Sequence, residues 1–329
     1  MLPRLLRRWH EAFDRSSYAA FKQDRIAQQR ARDVDIVICV HNALDYVKPC
    51  LASVLETIGP RHRVIVIDDA SESEVGDYLH DLCGRNDRLC IRRNSVRVGY
   101  TKSANKGLRL SSADLVMLLN SDTIVAPNWI EKLCDAVYTT EAAGIVGPLS
   151  NAAGFQSIPN HRSTSVQTAI NGLPARLSVE DMDRYCESWT RGKILPRVPV
   201  VHGFCFGVRR AVIDAIGLFD EALFADGFGE EDDYCLRASE AGFELVVATH
   251  TYVFHAKTKS YTPAQRQVLT TAAGQALRAR HGKAQVDRAF ELLDANSILN
   301  KFRREASRLY VTAPSNGSVD QTLIAKPHE

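Results

Sequence analysis

What most constrains this chain is a unit that recurs from Val34 onward: a short β-branched run, a polar cluster, then a stretch of helical periodicity. Residues 34–40 form the first run, closed by a polar turn at 41–45 and followed by a helix-like stretch at 47–58. Residues 64–67 repeat the arrangement, ending in Asp68, Asp69, Ala70 and Ser71 before a helical stretch at 74–83. A third strand is predicted at 89–92 with a helix at 101–110, and a fourth strand at 115–119 stops at Asn120, Ser121 and Asp122. Strands that alternate with helices pair in parallel, because each helix carries the chain back across the face of the sheet. The expected fold class is therefore α/β, a mainly parallel central sheet flanked by helices. Ligands of such sheets bind beyond the carboxyl ends of the strands, where these polar clusters fall.

Periodicity predicts further helices at 127–138, 210–216 and 231–241, and strands near 200–208 and 245–248. Two C-terminal helices are predicted, one from Pro263 to just before Gly282 and one over 284–310. Between Gly147 and Pro199, turn residues at Pro148, Gly154, Pro159, Pro174 and Pro196 interrupt the pattern. A long irregular segment of this kind serves either as a lid or acceptor loop or as plain surface. The layout is an N-terminal extension at 1–33, a body at 34–261 divided near residue 126, C-terminal helices at 262–311 and a disordered tail at 312–329.

With 45% hydrophobic and 24% charged residues, the 329-residue chain can bury one sizeable core. A net charge of +2 gives no reason to expect a nucleic-acid partner. The eight cysteines form no CxxC pair and no zinc-ligand spacing, so reduced structural thiols are expected. No secretory pattern opens the chain, and no run reaches the roughly 18 to 20 apolar residues that span a bilayer. A cytoplasmic protein is the expectation. Leu2, Leu5, Leu6, Trp9 and Phe13 recur at helical spacing among Arg4, Arg7, Arg8 and Arg15. Such a basic amphipathic helix either lies on the inner face of the cell membrane as a peripheral contact or packs on the body or a partner.

Asp68 and Asp69 after one strand and Asp122 after another are the first sign of chemistry. An isolated aspartate there is more often a cap or turn former, but several on one sheet edge suit a nucleotide diphosphate. That ligand needs acceptors for base and ribose and a hard cation completed by phosphate oxygens. The second sign is the run Glu230, Glu231, Asp232 and Asp233, which opens a predicted helix. Dipole compensation explains part of it, and clustering would raise a carboxylate toward the range of a general base. The third is His255, just after a strand, where a structural histidine is the commoner reading.

Taken in order, these segments resemble family-2 glycosyltransferases of the GT-A fold. Residues 34–42, VDIVICVHN, resemble the opening strand of that family, and 65–71, IVIDDAS, its nucleotide-binding turn. Asn94 through Gly99 to Gly107 resembles the segment that follows, and 118–123, LLNSDT, the DXD-type element. Gly203 to Asp220, the acidic run and His255 with Ser260 resemble the acceptor half. The resemblance implies an inverting transfer of a sugar from a nucleotide diphosphate, UDP- or TDP-linked, to a hydroxyl of a glycan or lipid-linked acceptor in surface polysaccharide synthesis.

The resemblance also implies roles. Asp69 would hydrogen-bond the base, with His41, Asn42 and Asp68 lining the same pocket, while Lys102 and Asn105 lie near the phosphates or donor sugar beside Asn120 and Ser121. Asp122 would bind Mn2+ or Mg2+, with His255 as a further ligand. One of Glu230 to Asp233 would be the base, with Glu231 matching the second acid of the family's Glu-Asp pair. Asn151, Phe155, Gln156 and Gly203 are the acceptor or sugar candidates. The chain departs from the pattern twice: Glu231 stands where the family has aspartate, and Asn120 where many members carry the first aspartate of DXD. Those departures leave a catalytically impaired nucleotide-sugar-binding protein, or a scaffold of a polysaccharide assembly, as the alternative. Walker A and GxGxxG patterns are absent, which removes the main support for other nucleotide enzymes.

Overall fold

The computed structural model describes residues 23–163, 168–191, 194–225, 227–257 and 263–311. The expected amphipathic positions before residue 23, Ser260 and the tail from residue 312 lie outside these. The strands are β1 (Val34–Val40), β2 (His62–Asp68), β3 (Leu89–Arg93), β4 (Leu115–Asn120), β5 (Thr123–Val125), β6 (Ala143–Leu149), β7 (Arg197–Val198), β8 (Cys205–Arg209) and β9 (Glu244–His255). They lie in the order β3-β2-β1-β4-β8-β6-β9-β5, with β7 also paired to β9. Strands β3, β2, β1, β4, β6 and β9 run one way, and β8, β5 and β7 run against them.

The central strands are apolar on both faces because both are covered, as parallel strands require. On one face Ile36, Ile38, Val64 and Val66 pack with α2 (Leu44–Thr57), α3 (Ser73–Gly84) and α5 (Trp129–Val137). On the other, Val37, Ile65 and Leu118 meet Ala104 and Leu108 of α4 (Tyr100–Leu110). Helix α4 lies so close to the sheet that a Cβ added at Gly107 would come within 2.2 Å of Val37 Cγ1.

The registers align the strand ends that carry polar residues. Val40 of β1 sits opposite Asp68 of β2, and Cys39 sits opposite Asn120 of β4. Strand β9 then bends past the sheet and pairs with β5 in the register Thr123↔His255. That pairing sets His255 across from the residue that follows Asp122.

Several expectations change. The irregular segment contains β6 at its start and helix α6 (Val179–Thr190), opened by a capping box between Ser178 and Asp181. No strand runs over 199–204. The Val201 amide is given to Cys235 Sγ at 3.4 Å and the His202 amide to Gln156 Oε1 at 2.6 Å, so this apolar stretch is buried without ladder bonds. Helices α7 (Arg210–Ile216), α8 (Glu230–Glu240) and α9 (Pro263–His281) fall where predicted. The last predicted helix is two, α10 (Lys283–Asp294) and α11 (Ser297–Val311), because Asn296 turns its Oδ1 to the Leu299 amide at 3.0 Å and caps a new start.

The described part of the N-terminal extension, α1 (Gln23–Arg30), packs on the body. Arg30 Nε lies 2.8 Å from Glu131 Oε1 and Arg25 pairs with Asp135, both acids on α5. Among the described residues, no helix is long and apolar enough to cross a membrane.

Candidate active site

The loops after β1 and β2 are laced together at the edge of the sheet. His41 Nδ1 lies 2.9 Å from the Asp69 carbonyl, and Asn42 exchanges two bonds, its amide to Ser71 Oγ at 3.0 Å and its Oδ1 from the Glu72 amide at 2.8 Å. Asn42, Ala43 and Ala70 take left-handed backbone angles of 57°, 57° and 55°, which fold both loops back over the strand ends. Asp68 is buried and faces inward, accepting the Ser71 amide at 2.9 Å and pairing with Arg93. Asp69 accepts from Asn94 Nδ2, from the Val98 amide and from the Gly99 amide, each at 2.8 Å. One carboxylate thus fixes the loop that leads into α4, and about one of its roughly four acceptor positions remains for a ligand.

Beyond β4 the geometry turns to His255. Its Nδ1 lies 2.9 Å from the Ala152 carbonyl, which can only accept, so Nδ1 carries the proton. Asn151 grips the His255 backbone from both sides, accepting its amide at 2.8 Å and donating to its carbonyl at 2.9 Å. Phe204 stacks on the ring at 5.3 Å and 17°. In the neutral form of the ring the lone pair is on Nε2, which faces Asp122 Oδ1 at 3.3 Å and Asn120 Nδ2 at 3.4 Å. A ring lone pair and a carboxylate oxygen at that separation attract only across a shared proton or cation.

The acids open α8 after three left-handed residues, Gly227 (80°), Phe228 (67°) and Gly229 (96°). Burial, then the charge of Glu231, pushes the Glu230 carboxyl well above its ordinary range. Burial also raises Glu231, and burial with the charges of Glu231 and Asp233 pushes Asp232 up to about 8. Oε2 of Glu230 and Oε2 of Glu231 are sealed from solvent without a hydrogen-bond partner among the described residues. Asp233 goes the other way: burial opposes its charge, but His281 and Arg237, each at 2.8 Å, and Arg280 at 3.2 Å hold it below the usual carboxylate range.

Residues 202–204 join the two halves. A Cβ at Gly203 would meet Glu231 Oε1 at 3.2 Å, while the next residue, Phe204, is the one stacked on His255. Residues 35–217, more than half of the chain, match the description "Glycosyl transferase family 2". The chain belongs to that family.

Among relatives of this family-2 chain, an uncharacterized glycosyltransferase of Haemophilus influenzae is 28% identical over 100 residues, 30% of this chain and 31% of that protein. An inactive polypeptide N-acetylgalactosaminyltransferase-like protein 5 of Macaca fascicularis is 26% identical over 239 residues, 70% of this chain and 53% of that one. A mannosyltransferase of Pyrobaculum calidifontis, solved in complex with GDP-Man and Mn2+, has a TM-score of 0.56 at 16% identity, covering 96% of this chain and 84% of that one. The fold is GT-A. The chain spans 25% to 39% of the length of the first curated relatives it matches.

Within this family-2 frame, several side chains expected at the substrate turn out to hold the frame itself. Asn105 is buried, with Nδ2 on the Phe219 carbonyl at 2.9 Å and on Glu221 Oε1 at 2.8 Å and with Oδ1 on the Phe219 amide at 3.0 Å, so it pins residues 219–221 to α4. Asn151 spends its amide on His255, and Gln156 spends both ends, on the Pro148 carbonyl at 2.7 Å and the His202 amide. Phe155 faces the C-terminal helices, 6.0 Å from the Phe290 ring. Asp233 is committed to Arg237, Arg280 and His281. Lys102 is exposed on the first turn of α4, and Ser121 is half-buried between Asn120 and Asp122. The sequence did not single out His202, which stands directly before Gly203, or Arg303 of α11, whose guanidinium bonds the carbonyls of Phe155 and Ser157.

Proposed function

We propose that this chain transfers a sugar from a nucleotide diphosphate to an acceptor hydroxyl with inversion, with Glu231 as the base and Asp122 and His255 holding a divalent cation. The observation that carries the reading is the His255 ring, whose Nδ1 bond to Ala152 leaves Nε2 directed at Asp122. A metal-binding histidine characteristically gives its other ring N–H to a carbonyl or carboxylate in this way. Groups of three or more His, Cys, Asp or Glu that could hold a metal are not found among the described residues. Two protein ligands fit a site in which diphosphate oxygens complete the coordination. The cation would stabilise charge on the departing diphosphate.

The chain's own residues supply the rest. Asp69 offers an acceptor for the base at the edge bounded by His41 and Asn42. Glu231, raised by burial and with a sealed Oε2, takes the proton of the acceptor hydroxyl as its oxygen attacks the anomeric carbon opposite the diphosphate. Holding the reactants in line accounts for up to roughly 7 to 11 kcal/mol of barrier in well-oriented systems. The acceptor is a glycan or lipid-linked sugar, and the activity belongs to surface polysaccharide synthesis at the inner face of the membrane.

A second reading, donor binding without transfer, is favoured by Asn120 in place of an aspartate and by the relative named as inactive. One experiment separates the two. The full chain is titrated with UDP-, TDP- and GDP-sugars with and without Mn2+, and transfer or hydrolysis is followed in wild type, Asp122→Ala and Glu231→Gln. Metal-dependent binding lost in Asp122→Ala, with turnover lost in Glu231→Gln, supports the transferase. Binding without turnover in wild type supports the second reading, and absence of binding to every donor defeats both.

A further inference from the structure

We infer that His202 is a sugar-contacting residue that helps select the transferred sugar. The inference rests on the proposed roles of Glu231 and of the Asp122–His255 pair.

Nδ1 of His202 is sealed from solvent and has no hydrogen-bond partner among the described residues. An imidazole nitrogen withdrawn from water and left unpaired is unusual enough to need a reason. The residue is also held in place. Its amide is bonded to Gln156 Oε1 at 2.6 Å, and its ring edge lies against Gly154, where a Cβ would meet His202 Cδ2 at 3.1 Å. The ring sits 6.1 Å from that of Phe204, which stacks on His255, and the intervening Gly203 abuts the Glu231 carboxyl.

In-line inversion sets the acceptor oxygen, the anomeric carbon and the departing diphosphate oxygen in a row, with the base at the acceptor oxygen and the residues that would hold a cation on the diphosphate side. A side chain between the base and the cation ligands flanks the transferred sugar. The loop 202–204 spans that interval, with Gly203 against Glu231 and Phe204 stacked on His255, and His202 opens it, its ring 6.1 Å from that of Phe204. Burial, then the nearby charges of Lys257 and His255, pushes its imidazole down to about 3, so the ring is neutral at physiological pH. A neutral imidazole has one donor and one acceptor, which suits a sugar hydroxyl that is both. A site built to hydrogen-bond a hydroxyl rejects analogues that lack it, because its own polar group is then stranded.

The test separates sugar from nucleotide. Affinities of UDP, UDP-glucose, GDP and GDP-mannose are measured with Mn2+ for wild type, His202→Ala and His202→Gln, together with Tm. The expected result is that both variants keep wild-type affinity for the nucleoside diphosphates. His202→Ala loses about 10-fold toward the nucleotide sugar that wild type prefers, the loss of one hydrogen bond to a neutral group, and His202→Gln recovers part of it. Equal weakening toward the bare diphosphate and the sugar nucleotide, or no weakening in either variant, overturns the assignment. A wild-type protein that does not distinguish a sugar nucleotide from its diphosphate also overturns it, while leaving nucleotide binding, and hence the wider reading, standing. Should His202→Ala fold poorly, His202→Gln carries the comparison alone.

Discussion

His281, the last residue of α9, places its Nε2 2.8 Å from Oδ1 of Asp233 on the first turn of α8. An ion-paired, fully buried acid is costly to strip of its charge. Asp233→Asn is expected to destabilise the fold by about 3 to 5 kcal/mol, since Arg237 and Arg280 would be left against a neutral side chain. The folded carboxyl lies below its ordinary range, so its stabilising contribution is present above the unfolded value of about 4 and is lost as pH falls toward the folded one. In urea melts the gap between wild type and variant should be full at pH 7 and shrink below about pH 4. A gap that is constant with pH would contradict the ion-pair account.

Glu231→Gln should behave in the opposite sense. The native carboxyl is raised by burial, so ionising it costs the folded state free energy and the variant should unfold at or above the wild-type temperature. Transfer should fall by about 100- to 10,000-fold with donor affinity kept. Because the base acts ionised, the acidic limb of wild-type kcat/KM should lie above the ordinary carboxylate range. Loss of donor binding in the variant would move the residue from the reaction to the nucleotide.

Asn151 tests the setting of His255. Removing its amide in Asn151→Ala releases both backbone bonds at His255, and activity should fall about 10- to 100-fold. The distinguishing readout is the Mn2+ concentration for half-maximal activity, which should rise. An unchanged metal dependence would mean that Asn151 serves only folding.

Gly107→Ala sets two effects against each other. Alanine gains about 1 kcal/mol over glycine in a helix interior. Here the new Cβ would lie 2.2 Å from Val37 Cγ1, and overpacking of a buried helix–sheet contact costs about 1 to 3 kcal/mol. The crowding should win, giving a net loss of stability in thermal melts.

Legibility in the sequence followed periodicity and range. The four parallel strands were readable because each is a short apolar run that stops at a polar cluster, and their registers then bring Asp69, Asn120 and Asp122 to one edge. Helix α6 was hidden because its capping box uses Asp181 at the third position and sits among prolines. Asn105, Asn151 and Gln156 look like ligands in a linear reading, since a buried amide carries no mark of whether it faces substrate or backbone. Only the fold shows that the partners of Asn105 lie 114 to 116 residues away and that Asn151 is spent on a strand 104 residues downstream.

Arg303 of α11 bonds the carbonyls of Phe155 and Ser157, on either side of the glutamine that carries His202, from 148 and 146 residues later in the chain. A contact of such range closes only after nearly everything between its ends is in place. The hydrogen bonds of Asp69, by contrast, run to Val40, His41, Asn94, Val98 and Gly99. As the chain leaves the ribosome, the hydrogen bonds around Asp69 can therefore form first, whereas those of Arg303 close only when α11 arrives.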